Sequence, residues 1–310
     1  MKKALVLFLL LQTALFCQAH EGGGFAVSDL LAGMGRGDKA ALLMVHFGTT
    51  YDDTRTLTIE AINRKAREAF PQLTLREAYT SRIVIRRLRT RGVEKQTPLE
   101  ALLSLRGEGY THVIVQSTHI IEGVEMESLR KDVEAVAPFF KEIRVGTPLL
   151  YSVEDTEKVA DILAVRHDGA ATGRNHVVLV GHGTYTPATA IYSQLDYMLK
   201  TAGHERFHVA TIEGYPSYET VLARLKAARA KEVTLVPFMF VAGDHARNDI
   251  AGEWKEALEK EGFGVRVCTE GLGEIAEVQD IFIGHIRFLL THRMVDIQEK
   301  KARYAAESDK

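Results

Sequence analysis

From residue 40 onward, apolar runs of five to nine residues recur, separated by longer stretches that mix apolar and charged positions. Runs this short and this continuous predict strands buried on both faces. In the first half they cover 40–47, 73–78, 112–117 and 143–150, with amphipathic helices predicted over 57–69, 98–108, 125–136 and 152–164. Thr97 precedes Pro98 as a cap residue before a first-turn proline. The second half repeats the rhythm, with strands over 176–180, 208–213, 233–241 and 265–269 and helices over 188–202, 218–230, 248–260 and 278–290. Strand and helix in strict alternation predict right-handed βαβ units, hence an α/β fold with parallel sheets flanked by helices.

The halves also match residue by residue. Met44-Val45-His46-Phe47-Gly48-Thr49 aligns with Leu179-Val180-Gly181-His182-Gly183-Thr184. Glu77-Ala78-Tyr79-Thr80-Ser81 aligns with Glu213-Gly214-Tyr215-Pro216-Ser217, and the 113–116 strand with 234–237. Three matches in the same order predict two similar domains facing across a cleft, spanning 39–150 and 151–293. Under this alignment Phe47 takes the place of His182, Glu125 falls near that of His245, and Glu77 has the placement of Glu213.

The ends of the chain read differently. Lys2-Lys3, an apolar stretch over 4–16 and Cys17-Gln18-Ala19 have the form of a secretory signal cut after Ala19. The apolar stretch is short for a membrane span, and no later segment is long and apolar enough to be one, so no integral membrane segment is expected after processing. Cleavage would leave Cys268 as the lone cysteine, with no internal disulfide. A periplasmic protein with a core large enough to need no staples fits these features. Residues 20–38 read as a flexible Gly-rich leader and 294–310 as a charged tail; these, with exposed helices, can support a homo-oligomer. The formal charge of -2 argues against a nucleic-acid partner, and the absence of a Walker-type loop argues against a nucleotide.

The candidate chemistry sits at three strand ends of the second half, in Gly181-His182-Gly183-Thr184, Glu213-Gly214-Tyr215-Pro216 and Gly243-Asp244-His245-Ala246. In a parallel sheet the strand carboxyl ends share one edge, where ligands bind. His182, Glu213 and His245 can therefore converge although they are 31 and 32 residues apart. Two imidazoles and a carboxylate suit a divalent metal site, a proton-transfer site, or both. The lack of a close His-x-x-x-His or Cys-x-x-Cys pair speaks against a permanently held zinc and for a transferable ion. Asp244 can orient a ring or cap the following helix. Arg82, opening the basic run 82–91, is the nearest candidate for gripping an anionic ligand, set against a solvated helix face. His119 and Glu122 lie in a loop over 118–123 that should reach the cleft, Glu125 opens the next helix near the place of His245, and Glu77 is a second cleft carboxylate. His46, inside an apolar strand, reads as a satisfied core residue.

His46-Phe47-Gly48-Thr49, Thr97-Pro98-Leu99, Gln116-Ser117-Thr118-His119-Ile120-Ile121-x-Gly123-x-Glu125, Gly181-His182-Gly183, Glu213-x-Tyr215-Pro216 and Gly243-Asp244-His245-Ala246-x-Asn248-Asp249 together resemble the anaerobic sirohydrochlorin cobaltochelatases, ferrochelatase-like class II chelatases. The likeness runs over about 40–290. It implies a lyase of cobalamin or sirohaem biosynthesis that inserts Co²⁺, with Fe²⁺ the other candidate, into the polycarboxylate macrocycle sirohydrochlorin. It also implies that His182, Glu213 and His245 hold the metal, and that His182 or His245 removes pyrrole protons. Glu77, Arg82, His119 and Glu125 would then face the macrocycle. The competing expectation from the same features is a periplasmic carrier or chaperone for a metal or tetrapyrrole, without turnover. A signal-type leader is unusual for this family.

Overall fold

The computed structural model describes residues 24–308; the signal-type segment 1–19, residues 20–23 and residues 309–310 lie outside it. After a short strand β1 (Phe25–Val27), the first sheet is built from β2 (Ala40–His46), β3 (Thr74–Tyr79), β4 (His112–Ser117) and β5 (Glu142–Val145). The second is built from β6 (Asn175–Gly183), β7 (Phe207–Glu213), β8 (Glu232–Pro237) and β9 (Gly264–Val267). Their orders are β3-β2-β4-β5 and β7-β6-β8-β9, all neighbours parallel. The two halves thus share one topology, as the internal repeat predicts.

Continuous apolar strands arise because both faces of each sheet are covered. On β2, Ala41, Leu43 and Val45 face one helical layer while Leu42 and Met44 face another; on β6, Val178 and Val180 alternate with Val177 and Leu179. Leu42, Met44, Val177 and Leu179 all enter one core shared by the two halves. Each Leu→Ala truncation in such a core costs about 2–5 kcal/mol, so the shared core makes the frame of the cleft rigid.

Local signals set the helix starts. A helix in three parts runs from α1 (Asp52–Arg55) through a π-helical turn (Thr56–Glu60) into α2 (Ala61–Ala69). Next comes α3 (Arg82–Arg89), capped by Ser81, and α4 (Pro98–Gly107), where Thr97 and Glu100 form a complete capping box. They are followed by α5 (Val124–Val136), α6 (Val153–His167), α7 (Ala190–Thr201), α8 (Tyr218–Ala227), α9 (Lys255–Lys260), α10 (Ala276–Thr291) and, past β10 (His292–Met294), α11 (Ile297–Ser308). No helix among the described residues is long and apolar enough to cross a membrane.

Two expectations need correcting. From Gly24 on, the segment read as a flexible leader is ordered: β1 pairs antiparallel with β10, and Leu30 is 1% exposed. Arg144, buried beside Glu142, donates to the carbonyls of Ser28 (2.7 Å), Leu289 (2.6 Å) and His292 (3.2 Å) and ties the two ends to β5. The charged tail correspondingly begins inside β10 and continues as α11. The strands of the first sheet all precede residue 151 and those of the second all follow it, but the helices do not keep to one side. Although α10 comes late in the second half, it packs on β4 of the first sheet and on α2 and α6.

Candidate functional site

The carboxyl ends of both sheets open on one cleft, a cavity of about 430 Å³. That lies within the ~300–1,000 Å³ typical of small-molecule sites. Its first-half wall comes from the segments after β2, β3 and β4, and its second-half wall from those after β6, β7 and β8. Apolar and aromatic side chains dominate the walls: Phe47, Ile83, Val84, Ile120, Ile121, Val124 and Tyr185. Phe47 is 40% exposed and Tyr185 87%. Such walls suit a flat apolar body with polar edges.

His182 and His245 meet in this cleft, ring centroids 4.7 Å apart and nearly perpendicular. Backbone chemistry explains how His182 gets there. Gly183 has φ +85°, and a Cβ at Gly183 would overlap the Glu213 carbonyl, one at Gly181 the Tyr192 ring. Only glycines on both sides let β6 pass so close to its neighbours and leave the imidazole uncovered. His182 Nδ1 contacts the Gly183 carbonyl at 3.1 Å, and His245 Nδ1 contacts Asp249 Oδ2 at 2.6 Å. Both partners can only accept, so each Nδ1 carries a proton, and in the neutral ring that leaves Nε2 as the nitrogen with the lone pair. A carboxylate behind a histidine fixes the tautomer and strengthens the ring as a ligand. Asp249, four residues after His245, was visible in the sequence as an i,i+4 partner.

Glu213 ends β7 through its pairing with Gly183, lines the same cavity and has an exposed side chain without a hydrogen-bond partner among the described residues. Among those residues no group of three or more His, Cys, Asp or Glu is already gathered for a metal. The imidazole pair is therefore preformed, and the Glu213 carboxylate is not seated with it. From the first half, His119 and Glu125 also line the cavity. Glu125 stands eight residues past Ser117 of β4 as His245 stands eight past Pro237 of β8, and both strand residues occupy the same register. His119 Nδ1 meets Ser117 Oγ at 2.5 Å and its Nε2 meets Thr80 Oγ1 at 3.3 Å. Burial, with the charge of His46 adding, pushes its pKa down to about 3. It is a neutral hydrogen-bonding group in the wall.

Glu77 and Arg82 are not among the residues that line the cavity. His46 pairs with Tyr79, and its counterpart Gly181 pairs with Thr211. Tyr79 thus matches Thr211, and Glu77, two residues earlier, matches Val209 rather than Glu213. It sits inside the strand, where Asn63 donates to it at 2.7 Å and Lys95 pairs with it. Because Asn63 turns its NH₂ to this carboxylate, its oxygen faces His46 Nε2 at 3.1 Å, and His46 Nδ1 accepts from Thr118 at 3.0 Å. His46 is fully buried with both nitrogens bonded, the satisfied residue expected, and burial lowers its pKa to about 4. Arg82 fails for a helical reason. Ile83, Val84 and Arg87 share the cleft-facing stripe of α3, while Arg82 acts on Glu100 and Asp132 outside it.

Asp244 neither orients His245 nor caps a helix. Its Oδ1 accepts from Tyr51 Oη at 2.8 Å and its Oδ2 from Arg87 at 2.9 Å, across the cleft mouth. The hydrogen bond to Asp244 raises the Tyr51 pKa. Arg247 lies 3.9 Å over the Tyr51 ring and donates to Asp53 at 3.1 Å. With Arg87 57% and Asp244 46% exposed, their pair is worth about 0–1 kcal/mol. No local pattern announces these contacts, which join residues 157 and 193 positions apart.

The cobalt chelatase (CbiK) family model matches residues 40–290. The sirohydrochlorin cobaltochelatase of Salmonella typhimurium strain LT2 is 36% identical over 253 residues, 80% of this chain and 95% of that one. The sirohydrochlorin cobaltochelatase CbiKC of Nitratidesulfovibrio vulgaris strain Hildenborough is 33% identical over 254 residues, 80% of this chain and 89% of that one. Among solved structures, SirB from Bacillus subtilis with Fe³⁺ superposes with a TM-score of 0.59 at 16% identity, over 81% of this chain and 96% of that one. The sirohydrochlorin chelatase SirB of Bacillus subtilis subspecies spizizenii with cobalt gives 0.55 at 16% identity, over 81% and 95%. Likeness at that identity establishes the chelatase fold, two facing parallel sheets, whereas the sequence relatives establish more: this chain belongs to the CbiK cobalt chelatase family and is a metal chelatase.

Proposed function

We propose that the protein inserts Co²⁺ into sirohydrochlorin in tetrapyrrole biosynthesis, with the His182–His245 pair as the centre of the reaction. The observation that carries this reading is the pair itself: two imidazoles held through Nδ1 by a backbone carbonyl and a carboxylate, ring centroids 4.7 Å apart, on one wall of a largely apolar cleft. Co²⁺ enters as substrate and is held by His182 and His245, with Glu213 swinging in from the end of β7 as third ligand. The macrocycle lies against the apolar wall that includes Phe47. Insertion releases two pyrrole N–H protons, and as pyrrole nitrogens replace the protein ligands, the released His182 and His245 imidazoles take up one each. Imidazole suits this role because as a side-chain type it titrates near neutral pH. An incompletely gathered ligand set favours transfer, since a closed site would hold the ion.

The test is to incubate the protein with sirohydrochlorin and Co²⁺, or Fe²⁺ in a parallel arm. Loss of the free-base absorbance over many turnovers per protein is expected. A change that stops at one equivalent would identify a carrier instead. We propose further that the protein is exported to the periplasm and processed after Ala19. Lys2-Lys3, the apolar stretch over 4–16 and the small residue at Ala19 support this. N-terminal sequencing of protein from a periplasmic fraction should begin at His20; an intact Met1 terminus in the cytoplasmic fraction would end the idea.

A further inference from the structure

The contacts at the cleft mouth put a carboxylate of the protein where a carboxylate of the substrate belongs. Tyr51 and Arg87 both line the cavity, both come from the first half, and both donate to one acceptor. Their joint geometry, a phenol on one oxygen and a guanidinium on the other, is a carboxylate receptor. Arg247 stacked on the Tyr51 ring holds the phenol in place, and Asp53 holds Arg247. The acceptor is Asp244, which directly precedes His245. We propose that Tyr51 and Arg87 form a carboxylate-binding subsite of the cleft, that Asp244 fills it in the free protein, and that an acetate or propionate side chain of the tetrapyrrole displaces Asp244 from it.

This deepens the chelatase reading and rests on it, because the ligand must be a polycarboxylate macrocycle. The exchange conserves charge: one carboxylate leaves Arg87 and another arrives. It also costs little, because the outgoing ion pair is half exposed on both sides. Its consequence is local. With Asp244 released, the segment carrying His245 loses two of its ties to the first half, and that freedom comes only when a macrocycle has docked.

A receptor filled by its own mimic makes opposite predictions for its two sides. Removing the receptor weakens binding; removing the mimic tightens it, because the competent open state is no longer taxed by competition. Sirohydrochlorin is titrated into the metal-free full-length protein and followed by its absorbance, with Co²⁺ insertion by the wild type measured in parallel. Arg87→Ala should raise Kd about tenfold and Tyr51→Phe about threefold. Asp244→Ala should lower Kd about threefold. In the Arg87→Ala background the Asp244→Ala gain should vanish, a coupling that a merely structural latch would not produce. If Asp244→Ala weakens binding or leaves it unchanged, or if Arg87→Ala leaves Kd unchanged, while the wild type still inserts Co²⁺, the mimic is wrong and the chelatase reading stands. A wild type that neither binds nor metallates sirohydrochlorin overturns both.

Discussion

The two halves of this chelatase fold start alike and finish differently. The central strand of the first, β2, stops at His46, whereas its counterpart β6 continues through His182 to Gly183. The same extension lets β7 run on to Glu213, which pairs with Gly183. At the equivalent point the first half leaves the sheet with Phe47 and turns Ser81 into a helix cap. One frame therefore yields a wall of apolar side chains on one side and an imidazole pair with a nearby carboxylate on the other. The difference between the halves lies not in topology, which they share, but in strand ends of unequal reach.

The largest expected effect tests that asymmetry directly. His182→Ala and His245→Ala should each reduce the rate of Co²⁺ insertion at least about 100-fold, the scale of losing a positioned proton-transfer or ligand group. Phe47→Ala, at the matching point of the other half, should reduce it less than about tenfold. The measurement is the initial rate of free-base absorbance loss at saturating metal. Near wild-type rates in both histidine variants would remove the functional difference between the halves.

The next effect concerns histidines buried without charge in both halves. Burial pushes His46 down to about 4 and His119 down to about 3 in the first half, and His208 down to about 2 in the second. His208 accepts or donates to His176 at 3.0 Å on the edge of the sheet away from the cleft. Each has a folded pKa below the unfolded value of 6.5. The unfolded chain therefore binds more protons as pH falls below that value, and folding stability falls with it. Between pH 7 and pH 5 each such group costs about 2 kcal/mol. Urea midpoints at the two pH values should fall for the wild type, and should fall less for His46→Asn, whose amide can keep the Asn63 and Thr118 partners. Equal losses in both proteins would mean that His46 is not held neutral.

How much of this was legible in the sequence follows from the range of each interaction. The cap at Thr97, the strand over His112–Ser117 and the βαβ rhythm were readable because they depend on neighbours within a few positions. The β1–β10 ribbon was not, because three-residue strands at opposite ends of the chain leave no period. The ordered stretch from Gly24 was missed for the same reason. His182, Glu213, His245, His119 and Glu125 were legible because topology alone sends strand ends to one edge. Arg87 lines the cleft where Arg82 was expected, because a run of arginines does not announce which turn of α3 faces it. The Tyr51–Asp244–Arg87 contacts arise only when the halves close on each other, and nothing in either half encodes the partner.

Glu77 and Glu213 give the finest version of the comparison, because motif and register disagree about them. Aligned on the cap residues Ser81 and Ser217, the two glutamates coincide; aligned on the strand pairs, Glu77 lies four positions short. The register decides where a side chain points, so the two should answer to different assays. Glu213→Gln should raise the Kd for Co²⁺ about tenfold, since it trades an anionic oxygen for an amide at an exposed strand end. Glu77→Gln should leave that Kd unchanged and instead lower stability by about 1 kcal/mol, because the Lys95 partner and the Asn63 hydrogen bond lose their charge assistance. Isothermal titration with Co²⁺ and a urea melt on each variant separate the outcomes. Loss of metal affinity in Glu77→Gln would restore the motif alignment, and loss in neither would leave the two imidazoles as the whole protein contribution to metal binding.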